Sequence, residues 1–383
     1  MTDKRGIEEA DEKFNIINLV CTGAMMKIFP CRNIAGKTLE WYSQSDQLPQ
    51  DMDNDKWVFI RKSMSYVNEM IVMKKYNDAC LLLEKIKKYQ QKECDGLLPA
   101  DNKFKAEKIY NQFDYSKSVA MACICIGLIC FIYYCHCMAS QKRTSRKAII
   151  ILNILLWIVF TYLSAAICLR GYVSNHLPLS NGFETMQFMA WCTLLLTFLL
   201  QRKFAMLLPF GFLLCGLTLM VSMLGESNPQ ITQLMPVLQS PLLSIHVVVI
   251  MIAYSLLAFI MLNGVTAVIL HQSQKECKEQ IERLQIISQI ILYPAIFLLA
   301  IGIFIGAVWA NVSWGRYWGW DPKEVWALIT MLVYALALHP RSLPWFHRTM
   351  FFHVFCITAF ITVLITYFGV NFLLGGMHSY ANG

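Results

Sequence analysis

The chain has 383 residues, of which 56% are hydrophobic and only 15% are charged. A soluble domain carries about 25% charged residues, so this composition excludes an ordinary soluble protein and favours one embedded in a membrane. The net charge is +8, but no basic stripe or recognised nucleic-acid-binding module accompanies it. We therefore expect no nucleic-acid partner.

The distribution of charge divides the chain into two parts. Residues 1–117 carry 19 Lys/Arg and 18 Asp/Glu, whereas residues 118–383 carry 14 and 7. We predict a polar, soluble segment over 1–117, followed by a membrane domain over 118–383. Within the polar segment, apolar residues recur at helical spacing and predict an amphipathic helix over 70–92.

The second part contains apolar runs long enough to cross a bilayer, which needs about 20 residues in a helix. There are eight of them: 118–138, 148–169, 185–200, 205–224, 246–270, 286–309, 326–339 and 349–374. The third and the seventh are short and must extend into polar neighbours. We predict an all-α, polytopic protein with about eight transmembrane helices in contact with membrane lipid.

The basic residues between these runs predict the orientation, since cytoplasmic loops carry an excess of Lys and Arg. Eleven basic residues follow the first, third, fifth and seventh runs: Lys142, Arg143, Arg146, Lys147, Arg202, Lys203, Lys275, Lys278, Arg283, Arg341 and Arg348. The opposite side has only Arg170, Arg316 and Lys323. This places residues 1–117 and the C-terminus outside the cytoplasm. No part of 1–117 resembles a signal peptide, so we expect upstream sequence in a longer protein.

The segment 309–326 lies on the external side and is rich in tryptophan: Trp309, Trp314, Trp318, Trp320 and Trp326. One interpretation is an aromatic belt at the membrane interface. Against it, glycines and the pair Asp321-Pro322 indicate a loop and then a new helix with Asp321 near its N-cap. A shelf of aromatic rings suits a large flat ligand such as haem. Arg316 or Lys323 would meet the haem propionates.

Two histidines lie at the level of this segment. His246 begins the fifth run and His378 follows the eighth, both on the external side, and neutral imidazoles are suitable axial ligands for haem iron. His339 lies near the cytoplasmic end of the seventh run, where a functional role and snorkelling to the interface both stay open. The other histidines are interpreted as solvated (His271, His347), packed (His136, His353) or ambiguous (His176).

The motif Trp314-Gly-Arg-Tyr-Trp-Gly-Trp-Asp-Pro-Lys-Glu-Val-Trp326 resembles the tryptophan-rich "WWD" signature of the haem-handling proteins of cytochrome c biogenesis. The similarity is to the CcsA (ResC) branch of the pathway known as System II. Further segments resemble that branch in the same order: 176–184, 238–246, 338–341 and 376–380. The resemblance covers about residues 118–383.

The resemblance implies roles for particular residues. His246 and His378 correspond to the axial ligands of an external site for haem b, and His339 to a ligand of an inner haem site. The haem-binding role of the tryptophan-rich loop passes to Trp314, Trp318, Trp320 and Asp321. In that family the inner site takes its second histidine from a CcsB (ResB)-like partner, which is fused ahead of CcsA in some lineages. Residues 1–117 are accordingly interpreted as the tail of such a partner.

The implied function is haem delivery in the bacterial inner membrane, as a component of a cytochrome c synthetase. Haem would be presented to the Cys-x-x-Cys-His motif of apocytochrome c, with thiol-reducing proteins as further partners. No catalytic residue is predicted. A haem-based electron carrier is an alternative, and a scaffold without haem, whose tryptophans anchor it at the interface, is another.

Overall fold

The computed structural model describes residues 4–32, 38–49, 52–204, 206–223, 229–231, 240–273 and 277–374. The chain forms two compact units, residues 1–101 and 102–383. The division of roles at residue 117, which rests on charge, stays a prediction.

The first unit is small and mixed. Two strands pair antiparallel, with Phe29 opposite Tyr42, and the buried core includes Phe29, Ile60 and Ile86. The expected single helix over 70–92 is wrong in its first part, because Lys74 has a left-handed backbone (φ 58°) that separates two helices. The elements are α1 (Lys4–Cys21), β1 (Phe29–Arg32), β2 (Leu39–Tyr42), α2 (Asn54–Val72) and α3 (Tyr76–Cys94).

The second unit is helical, and each predicted apolar run coincides with one of its helices. The fold class, an all-α polytopic membrane protein, is confirmed. Within the described residues its elements are α4 (Asp101–Gln112), α5 (Ser116–Ala139), α6 (Arg146–Ser174), α7 (Gly182–Leu200), α8 (Leu207–Ser222), α9 (Pro241–Gln272), α10 (Lys278–Trp314), α11 (Pro322–Leu336), a short 3-10 turn (Pro344–His347) and α12 (Thr349–Leu364), which continues as a π-helix (Ile365–Leu374).

Six helices in the described part of the chain are long and apolar enough to cross a membrane: α5, α6, α7, α9, α10 and α12 with the start of its π-helical extension. The two remaining predicted spans form shorter helices, with 16 residues in α8 and 15 in α11. Most residues of α8 are buried, so this helix is surrounded by its neighbours. A helix of that length falls short of the roughly 20 residues that a bilayer requires.

The membrane helices form two adjoining hydrophobic cores, one mainly among α5 to α8 and the other mainly among α9 to α12. Helices α9 and α10 run antiparallel, because Gly302 faces Ile250 while the later Gly306 faces the earlier His246. This pairing brings the beginning of α9 beside the end of α10. The beginning of α11 follows after a short loop, so the three helix ends lie together.

Candidate functional site

A cavity of about 260 Å³ lies where these three helix ends meet the beginning of α7 and the π-helical segment. Its wall is mainly apolar and aromatic, with a few polar groups, which is the usual composition of a small-molecule site. The lining side chains that bear on its chemistry include Ser180, His246, Tyr254, Trp309, Trp318, Lys323 and Glu324.

His246 lies in the second turn of α9 and is half-buried. Its Nδ1 is 2.7 Å from the carbonyl oxygen of Gly302 on α10. A carbonyl oxygen only accepts hydrogen bonds, so Nδ1 carries a proton and donates the hydrogen bond. In the neutral ring this leaves the lone pair on Nε2. A histidine that ligates a metal is commonly oriented in this way by a hydrogen bond from its other ring nitrogen.

The imidazole of His246 packs directly on the backbone of α10 at Gly306. A Cβ atom at this position would lie 2.7 Å from Cε1 and 2.8 Å from Nδ1 of the ring, which is closer than van der Waals contact permits. Glycine at 306 therefore lets the ring approach α10 closely enough to reach the Gly302 carbonyl.

The tryptophan-rich loop is shorter than the predicted segment 309–326. Helix α10 continues to Trp314 and ends at Gly315, whose left-handed φ of +73° suits glycine. At the other end Asp321 caps α11, as predicted, and forms a capping box with Glu324. The Glu324 carboxylate accepts from the backbone N–H of Gly319 at 2.8 Å and from that of Asp321 at 3.2 Å. These bonds fix the loop between the two helices.

The tryptophans do not form one continuous flat shelf. The ring of Trp309 is buried and meets that of Trp314 at 69°, with centroids 4.8 Å apart. The rings of Trp318 and Trp320 are perpendicular, at 89°. Trp309 and Trp318 line the cavity, whereas Trp320 is 75% exposed with a left-handed φ of 56°. The aromatic surface at the cavity thus comes from two indoles in different parts of the segment.

Of the two cationic side chains predicted near the site, Lys323 lines the cavity and Arg316 is exposed beside Gly319. Lys323 lies in the first turn of α11, ahead of its apolar stretch. Burial lowers the pKa of its amino group, while the neighbouring Asp321 carboxylate acts in the opposite direction. The cavity therefore has a cation in its wall that suits a carboxylate-bearing ligand.

The remaining predicted residues lie elsewhere. His339 is exposed, three residues beyond the end of α11, and does not line the cavity. His378 lies outside the described residues. Asp321 is buried and serves as the helix cap. Sequence reasoning missed Tyr254, a buried side chain of the cavity wall. Its spacing of eight residues from His246 could have identified it, since residues eight apart lie on the same side of a helix.

The model of the family described as "Cytochrome C assembly protein" matches residues 179–378 of the chain, more than half of its length. The chain belongs to this family. The family prediction made from the tryptophan-rich motif is thereby confirmed, and this member of the cytochrome c assembly family is a multi-pass membrane protein.

Individual relatives agree with this assignment. Protein NrfI of Wolinella succinogenes is 31% identical over 379 residues, which cover 98% of this chain and 42% of NrfI. Cytochrome c biogenesis protein CcsA of Chlamydomonas reinhardtii is 35% identical over 253 residues, 63% of this chain and 71% of that protein. CcsA of Synechococcus sp. (strain WH7803) is 30% identical over 320 residues, 70% of this chain and 97% of that protein. The chain thus spans less than half the length of NrfI.

Proposed function

We propose that this chain handles haem in cytochrome c maturation. It holds haem b as a substrate at an external site between His246 and His378, and presents it for covalent attachment to the Cys-x-x-Cys-His motif of apocytochrome c. The proposal rests on one observation: the His246 imidazole lines an aromatic cavity, and its Nδ1 is held 2.7 Å from the Gly302 carbonyl oxygen.

The groups around the cavity match the chemical parts of haem. A neutral imidazole with its lone pair on Nε2 suits the iron, and the indoles of Trp309 and Trp318 suit the apolar macrocycle. The ammonium of Lys323 suits a propionate, and a hydrogen bond to a charged group contributes about 1.5–3 kcal/mol. The donor set of the described residues therefore fits this substrate.

Attachment itself requires correct placement more than a catalytic side chain. Each thioether forms when a cysteine S–H adds across a vinyl double bond of haem, with sulfur bonding to one carbon and hydrogen going to the other. The addition consumes no net electrons, but the cysteines must be reduced, and thiol-reducing proteins supply that condition. Holding haem and thiols in reacting geometry is the contribution of this chain as a component of a cytochrome c synthetase.

A second haem position is proposed at His339, where haem enters from the cytoplasmic side. The imidazole is exposed just beyond α11, which leaves it accessible to another polypeptide. Its axial partner would come from a CcsB (ResB)-like protein, fused upstream or separate, and residues 1–117 would be the tail of that protein. The excess of basic residues on one side of the helices supports an orientation with residues 1–117, the tryptophan-rich loop and the C-terminus outside the cytoplasm. The membrane we propose is the bacterial inner membrane.

The test is purification from a haem-replete host that also expresses a reporter apocytochrome c. We expect a Soret band in the purified protein and haem-stained reporter in the cells. His246→Ala should lower both, while His271→Ala, an exposed histidine near the other end of the same helix, should change neither. Equal loss or equal retention in the two variants would contradict the proposal. Haem retention without reporter attachment would instead favour the electron carrier.

A further inference from the structure

A buried ion pair lies next to the cavity, and neither of its residues is a cavity-lining group. The Nε atom of Arg170, in the last turns of α6, donates to Oε1 of Glu184, in the first turn of α7, at 2.6 Å. The side chains are 1% and 2% exposed. A buried pair is weak evidence for stability, because removing two charges from water costs about as much as their attraction returns. A buried ion pair can instead serve to fix the positions of the segments that it joins.

Glu184 holds the stretch of chain that leads into α7. Its second oxygen, Oε2, accepts from the backbone N–H of Ser180 at 2.8 Å and from the Ser180 hydroxyl. In return the side chain of Asn181 accepts from the backbone N–H of Glu184 at 2.9 Å. The same stretch, residues 179–182, forms one part of the cavity wall with His246. One carboxylate oxygen thus holds that wall at Ser180, and the other binds Arg170.

Arg170 extends this anchoring to other segments. Its Nη1 donates to the hydroxyl of Tyr110 on α4 at 3.2 Å, and its Nη2 donates to the carbonyl oxygen of Pro229 at 3.0 Å. Pro229 lies between α8 and α9, the helix that bears His246. The guanidinium also lies over the rings of Tyr110 and Phe183. Burial raises the pKa of Tyr110, so its hydroxyl stays neutral beside the cation. One side chain therefore joins four segments, namely α4, α6, α7 and the stretch at Pro229.

We propose that Arg170 and Glu184 are positioning residues of the haem site, and this inference rests on the proposed function. They do not touch the substrate. They hold the wall at residues 179–182 and the segment at Pro229, so that the haem bound at His246 has one orientation and is shielded from water. Neutralising one partner would loosen the wall. Haem would then be held more weakly, and small external ligands would gain access to its iron.

The experiment uses the full chain, purified from the haem-replete host. Glu184→Gln keeps the size of the side chain and removes its charge. Arg170→Lys keeps the charge and removes the planar guanidinium with its several N–H donors. The matched control is Glu279→Gln, which breaks an ion pair of the same 2.6 Å length whose side chains are 72% and 71% exposed. Haem per protein, CO binding to the reduced haem and its midpoint potential are measured for each variant.

We expect both buried-pair variants to lose haem about tenfold, the lower end of the effect of disturbing groups that orient a metal ligand. The haem that remains should bind CO and shift in potential, and the control should match the parent. Tyr110→Phe, which removes a partner of Arg170 that does not line the cavity, should give the same CO binding with a smaller loss of haem.

Parental haem content, CO binding and potential in Glu184→Gln would overturn the inference. If that variant does not accumulate, Tyr110→Phe takes its place: CO binding in Tyr110→Phe supports the inference, and parental behaviour overturns it. Absence of haem from the parent protein would instead overturn the proposed function. The two failures are therefore distinguishable.

Discussion

The substitution Gly306→Ala tests whether the orientation of His246 holds the haem. The new Cβ would lie 2.7 Å from Cε1, 2.8 Å from Nδ1 and 3.4 Å from Nε2 of the imidazole. These atoms form the far end of a side chain, so the ring can move aside and α10 can stay in place. In moving, the ring leaves the Gly302 carbonyl, which it now meets at 2.7 Å. We therefore expect Gly306→Ala to keep the fold and to displace the His246 imidazole from its position.

The size of the effect follows from the role of that hydrogen bond. Loss of the group that orients a metal ligand weakens metal binding about 10- to 100-fold, equivalent to about 1.4–2.8 kcal/mol. Haem retained per protein, from the Soret band of the purified variant, should fall by that factor. The control is Gly171→Ala on α6, where a Cβ would meet only atoms at 3.5 Å. Equal haem retention in Gly306→Ala and Gly171→Ala would show that the orientation of His246 does not hold the haem.

Three further predictions concern neighbouring residues. Trp318→Ala removes a half-buried indole from the cavity wall and should reduce haem retention roughly tenfold, because about 1.5 kcal/mol of apolar burial is lost. Trp320→Ala should leave haem retention unchanged, because the ring of Trp320 is 75% exposed. Equal Soret bands in the two variants would contradict this prediction. Because burial lowers the pKa of Lys323, its charge is present below that pKa and lost as pH rises through it. Haem retention should therefore decline with rising pH below the ordinary lysine value of 10.5, and Lys323→Arg should abolish the decline in a pH titration of the Soret band. His339→Ala should lower the amount of haem-stained reporter and leave the CO binding of the external haem unchanged. An altered CO spectrum would show that His339 acts at the external haem site instead of the inner one.

Much of the fold could be predicted because a bilayer imposes simple rules. Each apolar run of the membrane domain became a helix, and Asp321 became the cap that its Asp-Pro pair indicated. The error at residues 70–75 arose because apolar spacing continues across the break between α2 and α3. The left-handed residue Lys74 carries no sequence signal of that conformation, which usually requires Gly or Asn.

The site was predicted in part. His246 and Trp318 were both predicted at the external side of the membrane, from the topology and from the tryptophan-rich motif, and they line the same cavity. The loop was predicted too long, since nothing in the sequence shows that α10 continues to Trp314 before Gly315 ends it. Pairings between distant segments could not be read at all. Arg170 was interpreted only as an external charge, and its contact with Glu184 depends on how α6 and α7 pack.

Chemical rescue can decide whether His246 holds haem for attachment to apocytochrome c. His246→Gly removes the imidazole and leaves space for a free one. We predict that this variant has a weaker Soret band and less haem-stained reporter than the parent, and that added imidazole restores both, while imidazole has no such effect on His271→Gly. Full haem content and reporter attachment in His246→Gly without imidazole would contradict it.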